Sequence, residues 1–438
     1  MRIACFTDTY LPEINGVVTS LDAHTQLLAG RGHEVLIVCP RYRRPVLHVV
    51  PGVQVKRYRS FSFITNKDTR VALPSVASIV ATLRRFDPDV VHIHTPLSVG
   101  VVGLVSSRML RLPNVQTYHT YIPDFMTYVE PHRLLRLDSL QQRIVTSLVA
   151  ERMFESGAWR RVTAAGSWGR EAVAEVRETA RQVLRTLPEG ERVELTTRVA
   201  WQFTRNLYNR ADVVLTPSVT LRDELVRHGV TVPVEYLSNG IDTSVVEPKA
   251  DYAPTGRLIH AGRLGFEKNV DLVVRAFARL AERDARVSLD IVGDGPAYET
   301  VARLAGRLGV AERVHMRGFM DRAALGRIYR EYDAFVTAST IETQGIVLLE
   351  AMSAGLPVVG VDALAIPELV RHERHGLIVP PGDEAAMADA LERLLADDAL
   401  RERMGSASRA DVQVHEIHAI VDRLEELYER VAATRRPR

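Results

Sequence analysis

Two segments in the second half of this sequence place charged side chains at spacings suited to a phosphate ester. In Gly262-Arg263-Leu264-Gly265-Phe266-Glu267-Lys268-Asn269, directly after the apolar run Leu258 to Ala261, two cations sit five residues apart on one loop. At the carboxyl end of a strand, Arg263 and Lys268 are able to hold the two phosphates of a nucleotide sugar and to neutralise negative charge as the bond to the sugar breaks. Stabilisation of that kind is worth roughly 3 kcal/mol per well-placed group. The plainer alternative is a surface ion pair with Glu267. In Ile341-Glu342-Thr343-Gln344-Gly345-Ile346-Val347-Leu348-Leu349-Glu350, two carboxylates lie eight residues apart. A strand ends near Ala338, so Thr343 to Gly345 should turn into a helix. Its first N–H groups, at Gly345, Ile346 and Val347, then lack intrahelical partners and attract a diphosphate. Glu342 falls outside that helix, at the sugar end, and Glu350, two turns down, reaches a ribose diol if its face points at the nucleotide. Otherwise both glutamates are solvated helix-end charges.

In the first half, Asp8-Thr9-Tyr10-Leu11-Pro12-Glu13-Ile14-Asn15-Gly16-Val17-Val18 joins the first strand to its helix, and Gly16 permits close approach of the backbone to a phosphate. His94 and His119 each end a strand-like run. A single histidine is most often a structural residue, but His119, followed by Thr120-Tyr121-Ile122-Pro123-Asp124, is the stronger candidate for a catalytic group. Other patterns carry less. Gly293-Asp294-Gly295 lacks the third glycine and the acidic ribose partner of a dinucleotide fingerprint. Asp87-Pro88-Asp89 precedes the Val90 strand and reads as a helix-to-strand turn. No His/Cys cluster has zinc spacing, and no metal or cofactor is required.

These residues need a scaffold that brings strand ends together. Ile3 to Thr7, a helical pattern over 17–30 and Glu34 to Cys39 form a βαβ unit, and strand runs follow at Val53 to Tyr58, Val90 to His94, Val115 to Tyr118 and Val213 to Leu215. The pattern restarts at Leu258 to Ala261, with a helix from Val270 to Glu282 and further strands at Ser288, Val314, Ala334, Pro357 and Gly376. The expectation is an α/β protein of two facing doubly wound, Rossmann-like domains with a cleft between them, ligands binding at the carboxyl ends of the strands. The domains are placed at 1–238 and 239–414. A helical excursion interrupts the first over about 130–210. It has an apolar face at Leu134, Leu137, Leu140, Ile144 and Leu148 that packs on the domain or lies against lipid. The C-terminal helix, about 415–438, is expected to pack back on the first domain.

At 438 residues, 46% hydrophobic and 25% charged, the chain is an ordinary globular one, long enough for two or three cores. Cys5 and Cys39, both inside apolar runs, exclude a disulfide framework and favour a reducing cytosol. No apolar stretch is long enough to span a bilayer, and Asp8 interrupts any secretory core. The net charge of +2 conceals an asymmetry. Residues 1–238 hold 30 Lys and Arg against 22 Asp and Glu, a net +8, and residues 239–438 hold 26 against 32, a net −6. A basic half suggests an anionic partner. No aromatic platform interleaves its arginines, so an anionic membrane surface is preferred to nucleic acid. The expected location is cytoplasmic, peripheral on the inner face of the cell membrane.

Taken in order, Asn15-Gly16, His119, Asn239-Gly240-Ile241-Asp242, Arg263 with Lys268, Gly293-Asp294-Gly295-Pro296, and Glu342 with Glu350 resemble the retaining glycosyltransferases of family 4, over nearly the whole chain. The resemblance implies the two-domain GT-B fold, with the acceptor held by 1–238 and the nucleotide sugar by 239–414, and metal-independent transfer of a sugar with retention. It also implies a nucleotide-sugar donor clamped by Arg263 and Lys268, with Glu350 on the ribose, Glu342 on the transferred sugar and Gly16 near the β-phosphate. His119 would contact the sugar beside the reacting carbon. Within the family, Phe6 to Pro12, Gly16 to Ser20, and Tyr118-His119-Thr120 with Asp124, Phe125 and Tyr128 look most like the bacterial diacylglycerol glucosyltransferases. That likeness implies a UDP-hexose donor and a diacylglycerol or glycosyl-diacylglycerol acceptor, met by Asp124 and Tyr128. GDP-mannose with an inositol lipid or soluble sugar, and a non-catalytic sugar-binding protein on the same fold, are the alternatives.

Overall fold

The computed structural model of the protein describes residues 1–42, 50–62, 70–72, 74–122 and 189–434. Contacts divide the chain into two compact units, one of Met1–Leu215, Arg222–Glu235 and Tyr428–Arg438, the other of Thr216–Leu221 and Tyr236–Leu427.

The first unit is built on a seven-stranded sheet in the order β3-β2-β1-β6-β7-β8-β9. Its strands are β1 (Arg2–Phe6), β2 (Glu34–Pro40), β3 (Val53–Tyr58), β6 (Val90–Ile93), β7 (Asn114–Thr117), β8 (Val213–Thr216) and β9 (Val234–Tyr236). β1 pairs in parallel with β2 on one side and β6 on the other. The central strands are buried along almost their whole length, as apolar runs without alternation require of a parallel sheet. Cys5 and Cys39 lie inside β1 and β2, and burial pushes each thiol up to about 12, which leaves them unreactive as nucleophiles. Asp87, in the left-handed region at φ 44°, ends the helix Val76–Phe86, and the Asp89 carboxylate accepts from Arg2 N at 2.8 Å, so Asp87-Pro88-Asp89 is a helix-to-strand turn. A short antiparallel pair, β4 (Ser60–Ser62) with β5 (Arg70–Ala72), has no counterpart in the sequence pattern, since three residues carry too little periodicity to register.

The second unit holds a six-stranded parallel sheet in the order β12-β11-β10-β13-β14-β15. The strands are β10 (Arg257–Ala261), β11 (Ser288–Val292), β12 (Val314–Gly318), β13 (Ala334–Val336), β14 (Val358–Val361) and β15 (Gly376–Val379). The helix Val270–Arg283 shows why this core forms. Val270, Val273, Val274, Phe277 and Ala281 recur at helical spacing, and all are buried. The C-terminal helical pattern divides into Asp398–Asp411, a 3-10 turn Val412–His415, and Ile417–Ala432. The break follows from a tertiary contact. Ile241 N donates to His415 O at 2.8 Å, and Ile417 N donates to Ile241 O at 2.9 Å, which takes residues 415–417 out of the helical ladder.

Of the helical excursion, Glu189–Tyr208 is a helix and residues 123–188 lie outside the described residues. Among the described residues, no helix is long and apolar enough to cross a membrane.

Candidate functional site

In each sheet the strand order reverses once, and the loops leaving the two strands at that point diverge, which is where open α/β sheets hold ligands. In the second unit the reversal lies between β10 and β13. The loop after β10 carries Arg263 and Lys268, and the loop after β13 carries Glu342.

Topology thus brings together residues 74 positions apart. Lys268 Nζ donates to Glu342 Oε1 at 2.7 Å, the two side chains being 22% and 16% exposed. Asn269, in the left-handed region at φ 51°, donates through Nδ2 to Ala338 O at 3.2 Å and so ties the lysine's turn to the glutamate's loop. From the other side, the buried Gln344 accepts from Asn239 N at 2.9 Å and donates to Ser238 Oγ at 2.7 Å, anchoring the backbone two residues after Glu342. Burial raises the Glu342 carboxyl. The Lys268 ammonium, first, and the field of His260 more than offset this and hold it below its ordinary value. It is therefore an ionised carboxylate.

Arg263 is held in place by glycines. Gly293 (φ 144°) and Gly295 (φ 152°) pass so close beneath its loop that a Cβ would lie 1.8 Å from Gly262 O and 2.5 Å from Leu264 O. Leu264 N also donates to Asp294 O at 2.9 Å. The Gly293-Asp294-Gly295 motif is thus a bed for the Arg263 loop. The guanidinium itself is 43% exposed and pairs with Glu267 at 3.4 Å, the plainer of the two arrangements open to it. An exposed pair of this kind is worth about 0–1 kcal/mol, so a phosphate can displace it.

Gly345 opens the helix Ile346–Ser353 at φ 85°, where Ile346 and Val347 are half-buried. The left-handed backbone demands glycine there, and the nearest atom to where a Cβ would be is the Leu348 Cδ1 at 2.6 Å, the end of a side chain that can turn aside. Glu350 is neither a solvated helix-end charge nor an open one. It is 4% exposed, with Oε1 at 2.6 Å from Arg322 Nε. Burial raises its carboxyl and Arg322 offsets part of that rise.

In the first unit the order reverses between β1 and β6. After β1, Asn15 caps the helix Gly16–Gly30 by accepting from Val18 N at 3.0 Å, which leaves the exposed Gly16 as its first residue. The buried Asp8 spans to the other side of the reversal and accepts from Leu97 N (2.9 Å), Ser98 N (2.9 Å) and Val99 N (2.6 Å) at the start of the helix Val99–Met109. His119, after β7, is buried and stacks on His94, ring centroids 5.4 Å apart, with its Nε2 3.2 Å from His94 Nδ1. Burial, helped by His24, lowers His119 to about 3, so its imidazole is neutral. Asp124 and Tyr128 lie outside the described residues.

Three residues escaped the sequence reading. Gln344 sits unremarked in the turn, and Arg322 has no local signal. His260 carried one, a polar side chain inside the apolar run Leu258 to Ala261.

The chain matches two family models, Glycosyltransferase Family 4 over residues 14–245 and Glycosyl transferases group 1 over residues 250–411. A GDP-mannose-dependent alpha-mannosyltransferase of Mycolicibacterium smegmatis is 30% identical, with 99% of each chain covered. An alpha-monoglucosyldiacylglycerol synthase of Streptococcus pneumoniae is 24% identical over 92% of this chain and 80% of its own. Among solved structures, sucrose-phosphate synthase of Thermosynechococcus elongatus superposes with TM-score 0.70 at 19% identity, 99% of both chains covered. HepE of Anabaena, in complex with UDP and glucose, does so with TM-score 0.68 at 18% identity, over 98% of this chain and 99% of its own. The two Rossmann-like parallel sheets, the matched families and the full-length relatives agree: the chain is a transferase with the GT-B fold and belongs to the family 4 glycosyltransferases.

Proposed function

We propose that the protein is a retaining hexosyltransferase that moves a glucose or galactose from a UDP-sugar to diacylglycerol or a glycosyl-diacylglycerol at an anionic membrane face. The observation that carries this reading is the Lys268–Glu342 pair, an ammonium and an ionised carboxylate at 2.7 Å on the two loops of the β10/β13 reversal. A diphosphate arriving there takes over the ammonium, with Arg263 released from Glu267 as the second cation and the N–H groups of Ile346 and Val347 as further donors. Glu342, freed from its partner, accepts hydrogen bonds from the hydroxyls of the transferred ring. As the anomeric bond lengthens, charge collects on the leaving phosphate and the two cations stabilise it without a metal. The leaving oxygen then takes the acceptor's proton on the same face, which retains configuration. His119, neutral, and Gly16 keep in this reading the roles that the family resemblance implies for them, at the transferred sugar and the β-phosphate. Glu350 serves the ribose through the carboxylate oxygen opposite the one that Arg322 holds.

The likeness to a monoglucosyldiacylglycerol synthase and the basic first half support the lipid acceptor. The higher identity to a GDP-mannose-dependent enzyme favours a second reading, mannosyl transfer from GDP-mannose. Incubation with a nucleotide-sugar panel and membrane lipid extract, followed by product analysis, separates them. Lys268→Ala and Glu342→Ala should each abolish turnover in a folded protein, and a folded double variant with full activity defeats the site assignment. Binding to anionic liposomes at low salt, absent on DNA of equal charge, tests the membrane partner.

A further inference from the structure

His260 is the last residue but one of β10, the strand that leads into the loop of Arg263 and Lys268, and it is 3% exposed. Its Nδ1 lies 2.9 Å from Val336 O on β13. A carbonyl only accepts, so Nδ1 bears the proton and Nε2 is left with a lone pair. That lone pair is buried and has no hydrogen-bond partner. An unmade bond of this sort is costly to a fold and marks a group waiting for something. Val336 continues into the loop of Glu342, so the ring bridges the two strands whose loops hold the Lys268–Glu342 pair.

Resting on the donor-site reading above, we propose that His260 is a proton-accepting positioning residue. When a diphosphate draws the Lys268 ammonium off Glu342, Nε2 takes up a proton from solvent, and the resulting imidazolium replaces the ammonium as the counter-charge of Glu342. The step is balanced: one N–H bond forms, the proton comes from water or buffer, and no other covalent bond changes. The electrostatics run in this direction. Burial and the Lys268 charge hold the imidazole below its ordinary value, while Glu342 raises it. Transfer of the ammonium to a phosphate weakens the depressing charge and leaves Glu342 facing the ring alone. The charged groups acting on His260 are Lys268, from the loop after β10, and Glu342, from the loop after β13. The other neighbour on β13, Phe335, presents an apolar ring 6.2 Å away between centroids. The consequence is that Glu342 stays ionised and fixed at the moment it must orient a sugar.

Calorimetric titration with UDP-glucose and with GDP-mannose, without acceptor, in buffers of different ionisation enthalpy reads the proton count directly. These diesters do not titrate near neutrality. At pH 7 the wild type should take up about 0.2–1 proton per donor bound, more as the pH falls towards 6.5. His260→Phe should still bind donor, with uptake close to zero. His260→Asn, which keeps a donor for Val336 O but does not titrate, should behave the same way and serves if the Phe variant fails to fold. Donor binding without uptake in the wild type, or undiminished uptake in a folded His260 variant, overturns the inference and leaves the donor site standing. If neither nucleotide sugar binds, or if Lys268→Met leaves affinity unchanged, the donor-site reading itself falls, and this inference with it.

Discussion

At the level of single residues, Lys268 and Glu342 do two things with one bond. The ammonium keeps a nearly buried carboxylate charged, and the carboxylate keeps a long, flexible side chain aimed at the strand ends. Glu342→Gln preserves the shape and one acceptor oxygen but removes the charge. Its kcat should fall about 10²–10³-fold, with the melting temperature little changed and donor affinity largely kept, since Lys268 is then free for phosphate. A variant with wild-type kcat would assign Glu342 a purely structural part. Lys268 and Glu342 were legible in the sequence because each sits at a fixed distance past an apolar run, and in a parallel sheet that distance fixes the strand end. Gln344 and His260 were not read because their meaning lies in partners more than 70 positions away, Ser238 for one and Val336 for the other. Glu350 was placed on the right helix, but its pairing with Arg322 depends on the turn after β12, which no local spacing reveals.

The elements explain why that chemistry is so well held. The glycines at 293 and 295 lie under the Arg263 loop with no room for a side chain. Gly293→Ala must either push that loop away or distort its own backbone. A shift of about 1 Å in a positioning loop costs on the order of 10²-fold in rate. We expect kcat/KM to fall by that order and the urea midpoint to drop as well, and an unchanged kcat/KM would show that the Arg263 loop is not a working part. In the helix behind it, Phe277→Ala should destabilise the second unit by about 3–5 kcal/mol, measured by urea unfolding, because a fully buried ring leaves a cavity. Strands of four or more residues, and the three-residue β13, were readable from their apolar runs. The three-residue strands β4, β5 and β9 were not, and neither was the interruption at 412–416, which exists only because Ile241 pairs there.

At the scale of the whole molecule, both units bury histidines that resist protonation, His260 and His415 in the second and a contacting group in the first. In the first, His92, His94 and His119 are buried and neutral, His92 between Tyr428 (2.6 Å) and Thr117 (2.7 Å), His94 against both other rings. Burial lowers all three below their ordinary value. Between the unfolded value near 6.5 and about 3, where His119 itself titrates, the unfolded chain binds more protons than the folded one. Stability is therefore lost as the pH falls, by up to about 1.4 kcal/mol per pH unit for each histidine. Asp8, raised by burial, opposes the trend at the acid end. Trp201 is buried in this unit, so in a variant whose Trp159 and Trp168 are replaced by Phe its fluorescence follows the unit. The urea midpoint read that way should drop steeply between pH 7 and pH 5, and a flat profile would contradict the neutral histidine core.

The mutual neutralisation of Lys268 and Glu342 has one more consequence. Seen from a distance the pair is electrically quiet, so it gathers no anions from solution and discriminates only on contact. Inorganic phosphate satisfies the cation and strands the carboxylate; a free sugar does the reverse. Only a ligand that delivers anion and polyol together can part the two at little cost, and so the joined ester is favoured over both of its hydrolysis products.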